Sequence, residues 1–192
     1  MPFVADKLIL FGATGDLSQR MLLPSLCALN ADGLVADDLK IIGTARSDHD
    51  DDSFRAFAAD ALEKYLPDER KSAIPALLAR LSYQALDASK PEGFSALAGK
   101  AGKVDDGLAI FLSTAPSLFE PTIAGLAAAG LAGERVRIGL EKPLGTDLES
   151  SRQINDAVSA AFTEDRIFRI DHYLGNANVV IYVATKKNLM MI

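Results

Sequence analysis

The sequence predicts an α/β fold: a Rossmann-like, doubly wound parallel sheet with helices on both faces. Three observations support this. Short runs of apolar, β-type residues alternate with segments of helical periodicity along most of the chain. The first run ends in a glycine turn and passes at once into a helix, and no repeat or low-complexity stretch breaks the alternation. With 192 residues, 49% of them apolar and 24% charged, one domain with a full core is expected.

The elements come in order. Lys7 to Phe11 (KLILF) reads as a strand that stops at Gly12. From Asp16 to Asn30 the apolar residues Leu17, Met21, Leu22, Leu26 and Leu29 recur at helical spacing, with Asp16 or a neighbour as N-terminal cap. Lys40 to Thr44 is a second strand, and Ser53 to Leu66 a helix halted before Pro67. A weaker strand spans Leu81 to Ala85 and a helix surrounds Pro91 to Lys100, while the Ala- and Gly-rich residues from Ala96 to Gly107 read as a loop. Leu108 to Ser113 is a buried strand, followed by an Ala-rich helix from Ser117 that a glycine ends at Gly130. Arg135 to Leu140, Asp147 to Phe162 and Ile167 to Ile170 give a strand, a helix and a final short strand. Beyond these, residues 176–192 hold VVIYVA, a plausible strand with no helix after it, and the basic, apolar ending KKNLMMI. The expected organisation is one domain over residues 1–175 and an atypical tail over 176–192.

Composition narrows the partners. A net charge of −6, with 20 Lys and Arg scattered rather than striped, argues against nucleic acid. The single cysteine, Cys27, has no intramolecular disulfide partner and falls at an apolar helical position, so a structural thiol is expected. No apolar run reaches the ~18 residues needed to cross a bilayer, and the N-terminus lacks a secretory pattern. The expectation is a cytoplasmic protein without a membrane partner or a metal site.

The chemistry concentrates in the glycine turn, Gly12-Ala13-Thr14-Gly15-Asp16-Leu17. Small residues there let the backbone approach a pyrophosphate, whose charge the helix N-terminal N–H groups then meet. The common fingerprint is G-x-G-x-x-G and only two glycines are kept, so spacing alone leaves a nucleotide site and an ordinary left-handed turn both open. The second strand adds a discriminating detail, because it runs into Thr44-Ala45-Arg46-Ser47. An acidic residue would accept from a ribose 2′-OH, whereas Arg46 suits a 2′-phosphate, so NADP is favoured over NAD. The competing reading of Arg46 is a solvated charge at a strand end.

Five ordered segments then resemble one family. FGATGDLSQRMLLPSL is similar to the nucleotide loop of the glucose-6-phosphate dehydrogenases, and IIGTARS, LSTAPSLF, GLEKPLGTDLESS and RIDHYLG agree with that family in order and spacing. The resemblance implies oxidation of glucose 6-phosphate to a lactone with NADP reduction, the first step of the pentose phosphate pathway. It implies that Gly12, Ala13, Thr14, Gly15, Asp16 and Leu17 line the cofactor diphosphate and that Arg46 holds the 2′-phosphate. Lys142 would contact both nicotinamide and sugar, with a cis peptide before Pro143. His172 would face the substrate phosphate beside Tyr173, and Asp171 would orient the imidazole. Phe119 falls where relatives often have an aromatic near the cofactor, and a core role competes with that. In the family the catalytic base is a histidine downstream of RIDHYLG; the two histidines here, His49 and His172, are neither of them that residue.

The chain also departs from the pattern. Asn176 stands where relatives have a lysine after Leu-Gly, which predicts weaker binding of an anionic sugar. Residues 177–192 do not resemble the family's continuation into its large second domain, which holds the base histidine and the interface of the homo-oligomer. An N-terminal fragment with little or no turnover is therefore expected, its unpaired sheet edge and bare apolar residues a solubility liability. The alternatives are a non-catalytic NADP(H)-binding module and, more weakly, another short-chain reductase, in which EKPLG and RIDHYLG have no role.

Overall fold

The computed structural model describes residues 4–104, 107–170, 182–184 and 189–191. Its main sheet has six parallel strands: β1 (Lys7–Phe11), β2 (Lys40–Ala45), β3 (Leu81–Ala85), β4 (Leu108–Leu112), β5 (Val136–Glu141) and β6 (Ile167–Ile170). Their order is β3-β2-β1-β4-β5-β6. The chain thus winds outward from β1 to one edge, returns to the middle at β4 and winds to the other edge, which is the predicted doubly wound topology. A separate antiparallel pair, β7 (Tyr182–Ala184) and β8 (Leu189–Met191), falls within the region read as VVIYVA and KKNLMMI.

Both faces of the sheet are apolar, so alternate residues feed two different cores. Leu8, Leu10, Ile41 and Leu81 pack on one face with α1 (Leu23–Ala31), α2 (Asp51–Tyr65) and α3 (Ile74–Leu78), where Leu23, Phe54, Leu62 and Leu77 fill the space. Ile9, Phe11, Ile110, Leu112 and Ile138 point the other way. They meet α4 (Phe94–Ala101), α5 (Phe119–Ala128) and α6 (Leu148–Ala161) through Phe94, Phe119, Leu126 and Val158. Strands buried on both sides explain why the sequence shows continuous apolar runs rather than alternation.

Four details differ from the sequence reading. The first helix opens with a π turn, Ser18–Leu22, in which the Leu23 N–H donates to the Ser18 carbonyl five residues back. Pro24 has no N–H to offer and its ring crowds the preceding turn, so the wider turn accommodates it. No side chain caps that start, and Asp16, expected as the cap, is exposed and lies 3.8 Å from Arg20 instead. The stretch from Asp68 to Leu78 is helical, as a 3₁₀ turn and then α3, where Pro67 and Pro75 had masked the pattern; Pro75 sits in the first turn, where its missing N–H is harmless. Finally, the helix α4 runs to Ala101, so the small residues from Ala96 onward are helical before they are loop.

Cys27 is buried as read, and Phe119 takes the core position that was one of its two readings. Cys27 is fully buried, and burial pushes its thiol up against the opposing pull of the Arg70 charge, which fits a structural thiol. Phe119 is fully enclosed in the second core. Among the described residues no helix is long and apolar enough to cross a membrane.

Candidate nucleotide-binding site

Because every strand pair in the main sheet is parallel, all six C-terminal ends lie along one edge. Phe11 is level with Thr44 on one side and with Leu112 on the other, and Ala45 with Ala85. The reversal in strand order falls between β1 and β4, and the helices that follow these two strands pack on opposite faces of the sheet. In open α/β sheets such a switch point is where ligands bind. The glycine turn, Gly12 to Leu17, rises from β1 directly at this place.

The turn is built by backbone bonds to its neighbours. The N–H groups of Gly12 and Ala13 both donate to the Thr44 carbonyl, at 2.9 and 3.2 Å, and the Gly15 N–H donates to the Gly12 carbonyl at 2.9 Å. Gly12 has φ +76°, and a Cβ there would collide with the carbonyl oxygen of Ser113 at the end of β4. Only glycine lets β1 turn left-handed while lying this close to β4. Ala13 is fully buried and touches the position a side chain would take at Gly43, so a methyl group is close to the largest side chain it can carry. The N–H groups of Thr14, Asp16 and Leu17 make no hydrogen bond among the described residues. They open the first helix, where unpaired donors and the helix dipole favour an anion.

The loop after β2 is the second wall. Thr14 Oγ1 lies 3.1 Å from Ser47 Oγ, which ties the glycine turn to the residue after Arg46. Arg46 is exposed, and its charge reaches Asp87, whose carboxyl is held below its usual range chiefly by hydrogen bonds from Ser89. The far end of the loop is fixed by a capping box: Asp50 accepts from the Ser53 N–H at 2.8 Å, while the Ser53 hydroxyl accepts from the Asp50 N–H at 3.0 Å. His49 packs between the rings of Phe57 and Tyr83, with Nδ1 3.3 Å from Ser53 Oγ. These contacts place it in the wall formed by β3 and α2.

The third region lies after β5. The Lys142 N–H donates to the Ile170 carbonyl at 3.0 Å, and the Lys142–Pro143 peptide is cis. Lys142 is exposed at the sheet edge. Beyond Pro143 the chain turns at Gly145, φ +108°, where a Cβ would lie 2.6 Å from the Ser151 nitrogen. Asp147 then caps α6 by accepting from the Ser150 N–H at 2.8 Å. Arg169, within the RIDHYLG string, bonds Asn155 Oδ1 from Nε and Nη2, at 3.1 and 3.0 Å, and pairs with Glu164. It fastens β6 to α6. Asp171, His172, Tyr173 and Asn176 lie outside the described residues.

Comparison with known proteins decides the family. The family model described as "Glucose-6-phosphate dehydrogenase, NAD binding domain" matches residues 9–180. The chain belongs to the glucose-6-phosphate dehydrogenase family. Over 181 residues, or 93% of the chain, it is 56% identical to a glucose-6-phosphate 1-dehydrogenase from Zymomonas mobilis, and 39% identical over 185 residues to one from Mycolicibacterium smegmatis. It spans about 37% of the length of each of these relatives. The crystal structure of glucose-6-phosphate 1-dehydrogenase from Mycobacterium avium superposes with a TM-score of 0.78 at 36% identity, covering 89% of this chain and 36% of that one. A glucose-6-phosphate dehydrogenase in complex with its substrate glucose-6-phosphate gives 0.78 at 32% identity, over 92% and 38%.

The matching family model is that of a nucleotide-binding domain, and the β1–β4 switch point is the candidate place for such a ligand. The sheet brings Gly12 to Leu17 and Arg46 to one edge, on adjacent strands, and sets Lys142 two strands away. Several contributors escaped the sequence reading. Ser47 bonds Thr14, the Thr44 carbonyl anchors the turn, and Thr114 just after β4 has a buried hydroxyl with no partner among the described residues. Each lies at or just past the end of a strand next to β1, and the strand order would have singled them out had it been known.

Proposed function

We propose that this chain supplies the NADP-binding part of a glucose 6-phosphate-oxidising dehydrogenase, with residues 1–175 as the binding domain. The observation that supports it best is the pairing of an open glycine turn at the switch point with an arginine, not an acid, at the end of β2. The cradle fits a dinucleotide: Gly12 leaves no side chain between the turn and β4, and three N–H groups of the turn have no bond within the described residues. Gly12, Ala13, Thr14, Gly15, Asp16 and Leu17 would line the diphosphate, and the planar guanidinium of Arg46 would pair with the 2′-phosphate.

NADP supplies the hydride acceptor at nicotinamide C4. Lys142, at the end of β5, is proposed to contact both nicotinamide and sugar, while His172 and Tyr173 bind the substrate phosphate and Asp171 supports His172. The reaction also requires a base for the C1 hydroxyl proton as the hydride leaves C1. His49 is held among Phe57, Tyr83 and Ser53, and His172 is assigned to the phosphate, so neither is proposed for that step. The chain alone is therefore expected to bind NADP and to turn over little or no glucose 6-phosphate. The same assignment of both histidines favours the second reading, a non-catalytic NADP(H)-binding module.

Calorimetric titration with NADP and NAD, followed by an assay of NADPH formation, tests this. Tighter binding of NADP than NAD is expected. No heat with either removes both readings, and a turnover rate typical of the longer relatives removes the view that this chain lacks the base.

A further inference from the structure

One buried side chain beneath the loop that carries Arg46 belongs to a strand that no part of the functional reading uses. Tyr83 lies in β3, level with Gly43 of β2, and is buried under the β2–α2 loop. Its hydroxyl points at two main-chain oxygens, 2.8 Å from the Ser47 carbonyl and 3.1 Å from the Ala45 carbonyl. These are the residues on either side of Arg46. The Ala45 carbonyl also accepts from the Leu86 N–H at 2.9 Å, whereas the phenol is the only partner of the Ser47 carbonyl among the described residues. Ser47 in turn reaches Thr14 of the glycine turn. A path of direct contacts therefore runs from β3 through the loop around Arg46 to the turn.

The phenol is itself held firmly. Its ring lies 4.8 Å from Phe54 and meets His49 edge-on at 5.4 Å. The Tyr83 backbone N–H donates at 2.7 Å to Asp51 Oδ1, which also accepts from Lys100 Nζ at 2.7 Å. Burial pushes its hydroxyl pKa up to about 12, against the lesser pull of the bond to Ala45, so it is a neutral donor throughout the working pH range. A donor fixed this well holds its acceptors still, while Arg46 itself stays exposed to meet a ligand.

We propose that Tyr83 is a positioning residue for nucleotide discrimination: its hydroxyl holds the main chain on both sides of Arg46 and so sets where the guanidinium meets the 2′-phosphate. This role rests on the proposed pairing of Arg46 with the 2′-phosphate. In this reading Tyr83 acts through the loop and not by contact with nucleotide or substrate.

The test is a double-variant cycle on the full chain, with NADP and NAD affinities measured by calorimetry for wild type, Tyr83→Phe, Arg46→Ala and the pair. Loss of the phenol hydroxyl, the donor shared by both carbonyls, should weaken NADP about three- to tenfold and leave NAD within about twofold. In the Arg46→Ala background the same change should add less than about twofold, because there is no guanidinium left to place. Melting curves check the fold, and Tyr83→Met replaces the phenylalanine variant if that one does not fold. An equal loss for both nucleotides, no loss, or an undiminished loss in the Arg46→Ala background overturns the inference. If Arg46→Ala leaves the NADP-to-NAD ratio unchanged, the reading of Arg46 fails first and the inference falls with it.

Discussion

Replacing Gly12 with alanine tests the cradle where its geometry is tightest. The left-handed backbone at φ +76° costs a residue with a Cβ about 1–2 kcal/mol. The added methyl would also strike the Ser113 carbonyl, so the ends of β1 and β4 must spread at a further cost of about 1–3 kcal/mol, the range for overpacking. A total of about 3 kcal/mol lowers the melting temperature by roughly 6–12 °C in a chain of this size. Gly33→Ala is the matched control, because Gly33 is also left-handed at φ +66° but a Cβ there meets nothing within 4 Å. It should lose only the conformational part, about half as much. Calorimetric melts of the three proteins read the difference, and NADP titration should show a loss of at least about tenfold for Gly12→Ala alone. If Gly12→Ala melts no lower than Gly33→Ala, β4 does not crowd the turn and the steric argument is wrong.

Arg46→Ala should weaken NADP by about ten- to a hundredfold and leave NAD nearly unchanged, since a bidentate charge-assisted pair is lost only with the 2′-phosphate; equal loss for both refutes its role. Phe119→Ala should destabilise the chain by about 3–5 kcal/mol while Phe119→Leu leaves NADP affinity intact, because the ring is buried in the second core; a selective loss of NADP binding in the leucine variant would return it to the site. The carboxyls of Asp50 and Asp147 are held below the usual range by their bonds to Ser53 and Ser150. Their folded pKa values are depressed, so their contribution is present above the ordinary carboxylate pKa near ~4 and is lost as pH falls through the lower folded values. Urea midpoints should fall with acidification below that point, less steeply in Asp50→Asn/Asp147→Asn, and identical slopes would contradict the capping account.

Much of this was legible in the amino-acid pattern because local rules and the fold agree. The runs KLILF and LAIFLS are apolar on both faces, and only a sheet covered on both sides buries such strands. The glycine turn could be read because Gly12 has a steric reason to be glycine, although the partner that imposes it, Ser113, is 101 positions away by the difference of the two numbers and invisible locally. Features that depend on long-range contacts were hidden for the same reason. Nothing near Tyr83 in sequence says that its hydroxyl ends under Arg46, which requires the β2–β3 register. The π turn and α3 were missed where proline overrode the periodic signal: Pro24 sits inside an apparently regular helix, and Pro75 opens one. Asp16 looked like a cap from its place, yet the helix start is uncapped and leaves its donors available.

A crystal structure of the chain grown with saturating NADP tests the central claim most directly. The account predicts the diphosphate against the N–H groups of Thr14, Asp16 and Leu17 and the 2′-phosphate within ion-pair distance of Arg46. Density for the nucleotide elsewhere, or a diphosphate in place with Arg46 turned away from the 2′-phosphate, would contradict it.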